Sequence, residues 1–354
     1  MNENQLIIAL SRLSDDVDVE KIQEMLSENM DWYYFHQISA KNKVFELCIS
    51  NLEKVGLAGR IPKEISEIFR QRTTQNLNQY QLNKKELMTF INTCYEKKLK
   101  LAPVKGIYLS DFLYQDPSIR KSNDVDVLIL MDDIPQMTEI LQQQGFINKP
   151  YNREKKKFFD YDRLTVMKYK LTMYNLLPFI KVQDDQLISF DLSFALDFDR
   201  KTSDVVNQML QNVKVEPHQL PTMKNTDYLI HLLVHSYREA SNASWIELNK
   251  DITLRKFCDI REFIRVRLTD GELQTVVSQM LAINQKSALI FNMYSIHEIY
   301  QDHFSQEILQ QLAINQGNMS DYFKFFEDDR KTSHARQKSL WDSLFSLNNL
   351  DELR

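Results

Sequence analysis

The stretch KSNDVDVLIL, Lys121 to Leu130, constrains this chain most, because two aspartates, Asp124 and Asp126, stand one residue apart at the mouth of an unbroken apolar run. Val127, Leu128, Ile129 and Leu130 read as a strand buried on both faces. Side chains i and i+2 of a strand point to one side, with Cα atoms roughly 6.5 Å apart. Two carboxylates on one face at the edge of a core repel each other and resist desolvation unless a cation or base lies between them. The pair therefore marks either a metal site or a solvated strand end.

The surrounding chain is expected to fold around this strand in three regions. Residues 1 to 98 read as a helical region, with apolar residues at i, i+3 or i+4 in DVEKIQEML, WYYFHQISAKNKVFELCISNL, PKEISEIFRQR and LNKKELMTFINTCYEKK. Residues 99 to 200 change pattern: LKLAPVK, DVDVLIL, RLTVMKYKLTMY and LISFDLSFAL read as strands. DDIPQMTEILQQQGF reads as a helix opened by Asp132, Asp133 and Pro135 and stopped by Gly145. From 201 to 354 helices return, in NTDYLIHLLVHSY, LRKFCDIREFIRVRL and the last forty residues. The expected class is α+β: a small mixed β-sheet with helices, flanked by N-terminal and C-terminal helical regions.

Composition narrows the function classes. The net charge of -5 argues against a dominant nucleic-acid surface, which would need clustered Lys and Arg. Cys48, Cys94 and Cys258 are few and far apart, so neither a disulfide framework nor a thiolate metal site is expected. The opening MNENQLIIAL lacks the basic, long apolar pattern of an export or membrane segment. A cytoplasmic protein with no membrane association is the expectation. No Gly-x-Ser-x-Gly, P-loop or Gly-x-Gly-x-x-Gly pattern is present.

Two further features favour the metal reading of the aspartate pair. Gly106, one of six glycines, follows the first expected strand in APVKGIYLSDFLY. A glycine between strand and helix lets backbone approach a ligand, and the helix Ile107 to Tyr114 would present free N–H groups to a phosphate. The chain then returns past Arg120 and Ser122 to the aspartate strand. Asp191 sits mid-strand in QLISFDLSFAL, a poor place for an unpaired charge. If its strand pairs beside the Asp-x-Asp strand, three carboxylates converge and can hold two Mg²⁺ ions roughly 3.5 to 4 Å apart for phosphoryl or nucleotidyl transfer. Oxygen ligands suit magnesium or manganese over zinc.

Taken together, VKGIYLSDFLYQDPSIRKSNDVDVLIL, ILQQQGF and FDLSF resemble the nucleotidyltransferase-5 type family of the DNA polymerase β-like nucleotidyltransferase superfamily. The flanking helical pattern resembles it too, over most of residues 1 to 265. The resemblance implies an enzyme that moves a nucleoside monophosphate from a Mg²⁺-bound nucleoside triphosphate, with ATP the first expectation, to a hydroxyl on a small molecule, peptide or protein. It implies Asp124, Asp126 and Asp191 as catalytic metal ligands and Lys105, Gly106, Arg120 and Ser122 as nucleotide-binding residues. Where many family members carry His two positions after the third Asp, this chain has Ser193. A catalytically inactive, nucleotide-binding regulatory module of the same fold is the alternative, against which stand three retained carboxylates. Other marks read as structural: REKKKFF, Arg153 to Phe159, as a solvated charged face, and His231 and His235 as helix-packing residues, since Leu232 stands where a zinc peptidase needs Glu.

Overall fold

The computed structural model describes residues 2–26, 29–216, 219–314, 320–327 and 332–346. By internal contacts the chain divides into two compact units, residues 74–228 and the remainder, residues 1–73 with 229–354.

The first segment of the unit made of residues 1–73 and 229–354 is helical: α1 (Asn2–Leu10), α2 (Val19–Met25), α3 (Trp32–Lys41) and α4 (Phe45–Lys54). Asp18 and Asp31 cap α2 and α3 by accepting from the amides of Lys21 and Tyr34. The long apolar pattern from Trp32 breaks into two helices at Lys43, whose φ of 59° is left-handed. The two patterns after Pro62 instead fuse into one helix, α5 (Lys63–Glu96), within which the boundary between the units falls.

The unit of residues 74–228 holds the sheet. Its elements are β1 (Leu101–Val104), α6 (Gly106–Leu109), β2 (Val125–Ile129), α7 (Ile134–Gln143), β3 (Tyr151–Asn152), β4 (Lys157–Phe158), α8 (Arg163–Thr172), β5 (Phe179–Gln183), β6 (Gln186–Ser193) and α9 (Ser203–Gln211). The four-stranded sheet runs β1-β2-β6-β5; β2 and β6 are parallel and the other two pairs antiparallel. Pro103 is accommodated because β1 is an edge strand. One face of the sheet carries Val125, Val127, Ile129, Ile188, Phe190 and Leu192, which pack with Leu87, Phe90 and Ile91 of α5 and Met137 and Ile140 of α7. Phe190 anchors that core, with the rings of Phe146 and Phe90 edge-on at 4.9 and 5.5 Å. The sheet with flanking helices is the α+β architecture expected from the sequence.

Two local expectations are corrected. RLTVMKYKLTMY is not a strand: it forms α8, capped where Asp162 accepts from the Thr165 amide and hydroxyl. Its alternating Lys-Tyr-Lys-Leu suits a strand, but Leu164, Met167 and Leu171 equally fit helical spacing, and Leu, Met and Lys favour helix. The fourth strand is instead β5, joined to β6 by a tight turn in which Asp184 and Asp185 both take positive φ, 50° and 60°. The helix expected from Ile107 to Tyr114 forms as α6 continued by a π-helical turn, Ser110–Tyr114. α7 ends as expected, with Gly145 at φ +86°.

After α10 (Asn225–Ala240) come α11 (Ala243–Glu247), α12 (Leu254–Arg267), α13 (Asp270–Ala282), α14 (Lys286–Tyr300) and α15 (His303–Gln311). The helices expected in the last forty residues are only partly found: the described part carries a hairpin, β7 (Lys324–Phe326) with β8 (Ser333–Ala335), and one helix, α16 (Leu340–Phe345). His231 is buried, and His235 lies 3.4 Å from Glu239 and 2.7 Å from Arg238. All three cysteines are buried and unbridged. Among the described residues no helix is long and apolar enough to cross a membrane.

Candidate functional site

The parallel register of β2 and β6 places Asp126 directly opposite Asp191. On β6 the alternation turns Ile188, Phe190 and Leu192 into the core and leaves Ser189, Asp191 and Ser193 on the other face. Asp124, two residues before Asp126, shares that face. One carboxylate oxygen from each of Asp124, Asp126 and Asp191 lies within 4.8 Å of the others. The three carboxylates singled out in the sequence thus form one cluster at the middle of the sheet.

The cluster concentrates negative charge in a largely buried place. The Asp191 carboxyl is pushed up to about 8, first by burial, then by the charges of Asp124 and Asp126, with Lys105 opposing them. Its Oδ1 is buried and has no hydrogen-bond partner. Buried carboxylate oxygens are normally satisfied, so an orphan oxygen beside two further carboxylates is a place where the three residues could hold a cation. The donors are all carboxylate oxygens, which fits Mg²⁺ or Mn²⁺.

Lys105 enters through β1. Val104 is paired with Asp126, so the next residue leaves the sheet at the level of the cluster. Its Nζ lies 2.5 Å from Asp126 Oδ1, and both side chains are largely buried. The backbone of Lys105 is unusual for a side-chain-bearing residue, φ 54° and ψ −117°. Strain of this kind persists where surrounding structure fixes it and concentrates at functional sites.

Gly106 follows, and its constraint is steric: a Cβ there would lie 2.0 Å from Ser122 Oγ and 2.9 Å from Ser122 Cβ. The conformational freedom expected of the glycine is used one residue earlier, by Lys105. The Gly106 carbonyl accepts from Arg120 Nη1 and from Ser110 Oγ, both at 2.9 Å, while Ser122 Oγ donates to the Asp124 carbonyl at 2.9 Å. Arg120 is buried and its guanidinium also lies over the Tyr114 ring. Arg120 and Ser122 therefore clamp the Gly106 turn to the start of the aspartate strand.

Next to β6 is a cavity of about 530 Å³ that sequence reading missed. Tyr161 and Tyr169 line it, and the Asp191 charge contributes to raising both hydroxyls, after burial in each case, Tyr169 to about 12. Their only signal was the aromatic content of YDRLTVMKYK, obscured by reading that segment as a strand.

A four-stranded mixed sheet that gathers an Asp-x-Asp pair and a third aspartate beside a Lys-Gly turn defines a carboxylate-centred α+β protein. The chain belongs to the uncharacterised nucleotidyltransferase family, whose model matches residues 28–301. Comparison with curated proteins and with solved structures finds no match.

Proposed function

We propose that the protein transfers a nucleoside monophosphate from a Mg²⁺-bound nucleoside triphosphate, ATP being the first to test, to an acceptor hydroxyl on a small molecule, peptide or protein. Residues 99 to 200 are its catalytic core. The observation that carries this reading is the convergence of Asp124, Asp126 and Asp191 around an orphaned carboxylate oxygen. These carboxylates would hold two Mg²⁺ or Mn²⁺ ions, whose chemistry is to neutralise charge on the attacking and leaving oxygens.

The residues have separable tasks. Asp124 and Asp126 bind the metal-triphosphate. Lys105, paired with Asp126, would offer its ammonium to the triphosphate beside the Gly106 turn, whose shape Arg120 and Ser122 maintain. The acceptor oxygen bonds to the α-phosphorus, the bond from that phosphorus to the bridging oxygen breaks, and pyrophosphate leaves. The acceptor's proton passes to the Asp191 carboxylate and on to water.

The test is nucleotide-dependent stabilisation followed by turnover. Mg²⁺ and ATP together should raise the melting temperature, since a ligand at ~100 times its Kd adds roughly 2.7 kcal/mol to the folded state. Absence of any shift with all four triphosphates, in Mg²⁺ or Mn²⁺, would defeat the reading.

A further inference from the structure

Helix α8 is apolar on two sides, and only one of them faces the protein. Successive helical residues are turned by about 100°, which puts Val166 and Tyr169 on one side, where both line the 530 Å³ cavity. Leu164, Met167 and Leu171 fall within an arc of roughly 60° on the other side. They are 79%, 45% and 67% exposed. Lys168 lies at one edge of that stripe, and Arg163 and Lys170 lie at the other. Phe159, directly after β4, adds a fourth exposed apolar side chain. Outside residues 147–171 the exposed large apolar side chains among the described residues stand singly along the chain, as on an ordinary surface.

Positive charge is concentrated in the same region. Residues 149–172 carry eight Lys and Arg against three Asp and Glu, in a chain whose net charge is -5. Arg153, Lys155 and Lys156 in the turn of the β3-β4 hairpin, with Lys157 of β4, are exposed. Two of the three acids are engaged, Asp160 with Lys149 and Asp162 as the cap of α8. The Lys155 ammonium lies over the Phe159 ring, 5.8 Å from its centre, so the basic hairpin adjoins exposed apolar surface.

We propose that α8 and the β3-β4 hairpin form a docking face for an anionic lipid bilayer. Leu164, Met167, Leu171 and Phe159 enter the headgroup region, and the flanking Lys and Arg meet lipid phosphates and carboxylates. An apolar stripe bordered by basic residues is the pattern by which a helix lies in a bilayer interface. Long Lys and Arg stems run along the apolar surface while their charged ends stay among the headgroups. A protein partner fits the composition less well, because protein interfaces are depleted in Lys and enriched in aromatic residues. Here six of the eight basic residues are Lys, and three of the four apolar side chains are Leu or Met. A nucleic acid would use the charge and leave the Leu-Met stripe uncovered. Adsorption of this kind requires no spanning helix, and none is found among the described residues. The inference stands apart from nucleotidyl transfer: it brings the unit of residues 74–228 to a membrane surface, whatever that unit transfers.

The experiment uses the full chain and vesicles of phosphatidylcholine alone or with about one-third phosphatidylserine. Flotation should show binding to the anionic vesicles about tenfold stronger than to the neutral ones, and weakened about tenfold when salt is raised from about 0.1 M to about 1 M. Leu164→Glu with Leu171→Glu removes the stripe, and Lys155→Glu with Lys157→Glu reverses charge while leaving the stripe intact. Each pair should weaken binding by about tenfold or more. All four side chains are exposed, so melting temperatures should match wild type. An environment-sensitive dye on Leu164→Cys should shift to the blue on anionic vesicles, whereas the same dye on Leu281→Cys, an exposed position of α13, should not. Binding to neither vesicle, equal binding to both, binding unchanged in either pair of substitutions, or a dye shift at Leu281 alone would overturn the proposal. So would a concentration-dependent dimer in sedimentation that Leu164→Glu with Leu171→Glu dissolves, since a second copy would then cover the face.

Discussion

Replacing Asp191 by Asn isolates the cost of gathering three carboxylates without a cation. In the ligand-free protein the Asp191 carboxyl is raised from 3.8 to about 8, chiefly by burial and then by Asp124 and Asp126. A carboxyl whose folded pKa lies above its unfolded value favours folding fully only below the unfolded value, and that contribution is lost as pH rises toward 8. Ionised Asp191 is thus a liability at neutral and alkaline pH, and Asn, which cannot ionise, removes it. At about 1.4 kcal/mol per pKa unit the rise sets a ceiling of roughly 6 kcal/mol. Lys105 lies beside the cluster, and the Asp191 side chain is partly open to water, so the gain expected is on the order of 1–3 kcal/mol at pH 8. Urea denaturation in EDTA at pH 5.5, 7 and 8.5 measures it. The advantage of Asp191→Asn should grow between pH 5.5 and 8 and then level off, and Mg²⁺ with nucleotide should erase it by stabilising wild type more. Calorimetry should show that the variant keeps much of its nucleotide affinity while turnover falls strongly, as for an interaction made mainly in the transition state. A destabilisation of several kcal/mol, or a difference independent of pH, would show that Asp191 is a structural partner and refute the cation-site argument.

Asp126→Asn should behave differently: it removes the carboxylate paired with Lys105 and should lower metal-free stability by about 1–2 kcal/mol while abolishing Mg²⁺-dependent nucleotide binding, measured by the same two assays. Gly106→Ala should cost about 1–3 kcal/mol by forcing a Cβ against Ser122, and Ser122→Gly in the same chain should recover part of that loss in melting temperature. Lys105→Met should leave Mg²⁺ binding to the metal-free protein intact or strengthened, because it removes a competing ammonium, yet weaken triphosphate binding by about tenfold, read by calorimetry with ATP against AMP. If AMP and ATP lost affinity equally, Lys105 would not be a triphosphate ligand.

What the sequence determined by itself is what short-range physics controls. The apolar run after Asp126 specified a buried strand, Pro135 and Gly145 bounded α7, and the 3.6-residue pattern marked α2 through α5 as helical. The misplacement of Asp191 among apolar neighbours flagged a charge needing a partner, and resemblance over most of the chain identified the family. Tertiary structure decided the rest. Pairing of β2 with β6 brings together residues more than sixty positions apart, and no local preference encodes whether that pairing is parallel or which residue stands opposite Asp126. Arg163–Thr172 fits strand alternation and helical spacing alike, and its capping aspartate marks it as helix, leaving the fourth strand to Phe179–Gln183. The steric reason for Gly106 was equally invisible, because Ser122 reaches it only through the fold. Periodicity is written residue by residue, whereas strand order, register and a cavity such as the one beside α8 arise only when distant segments bury their faces against one another.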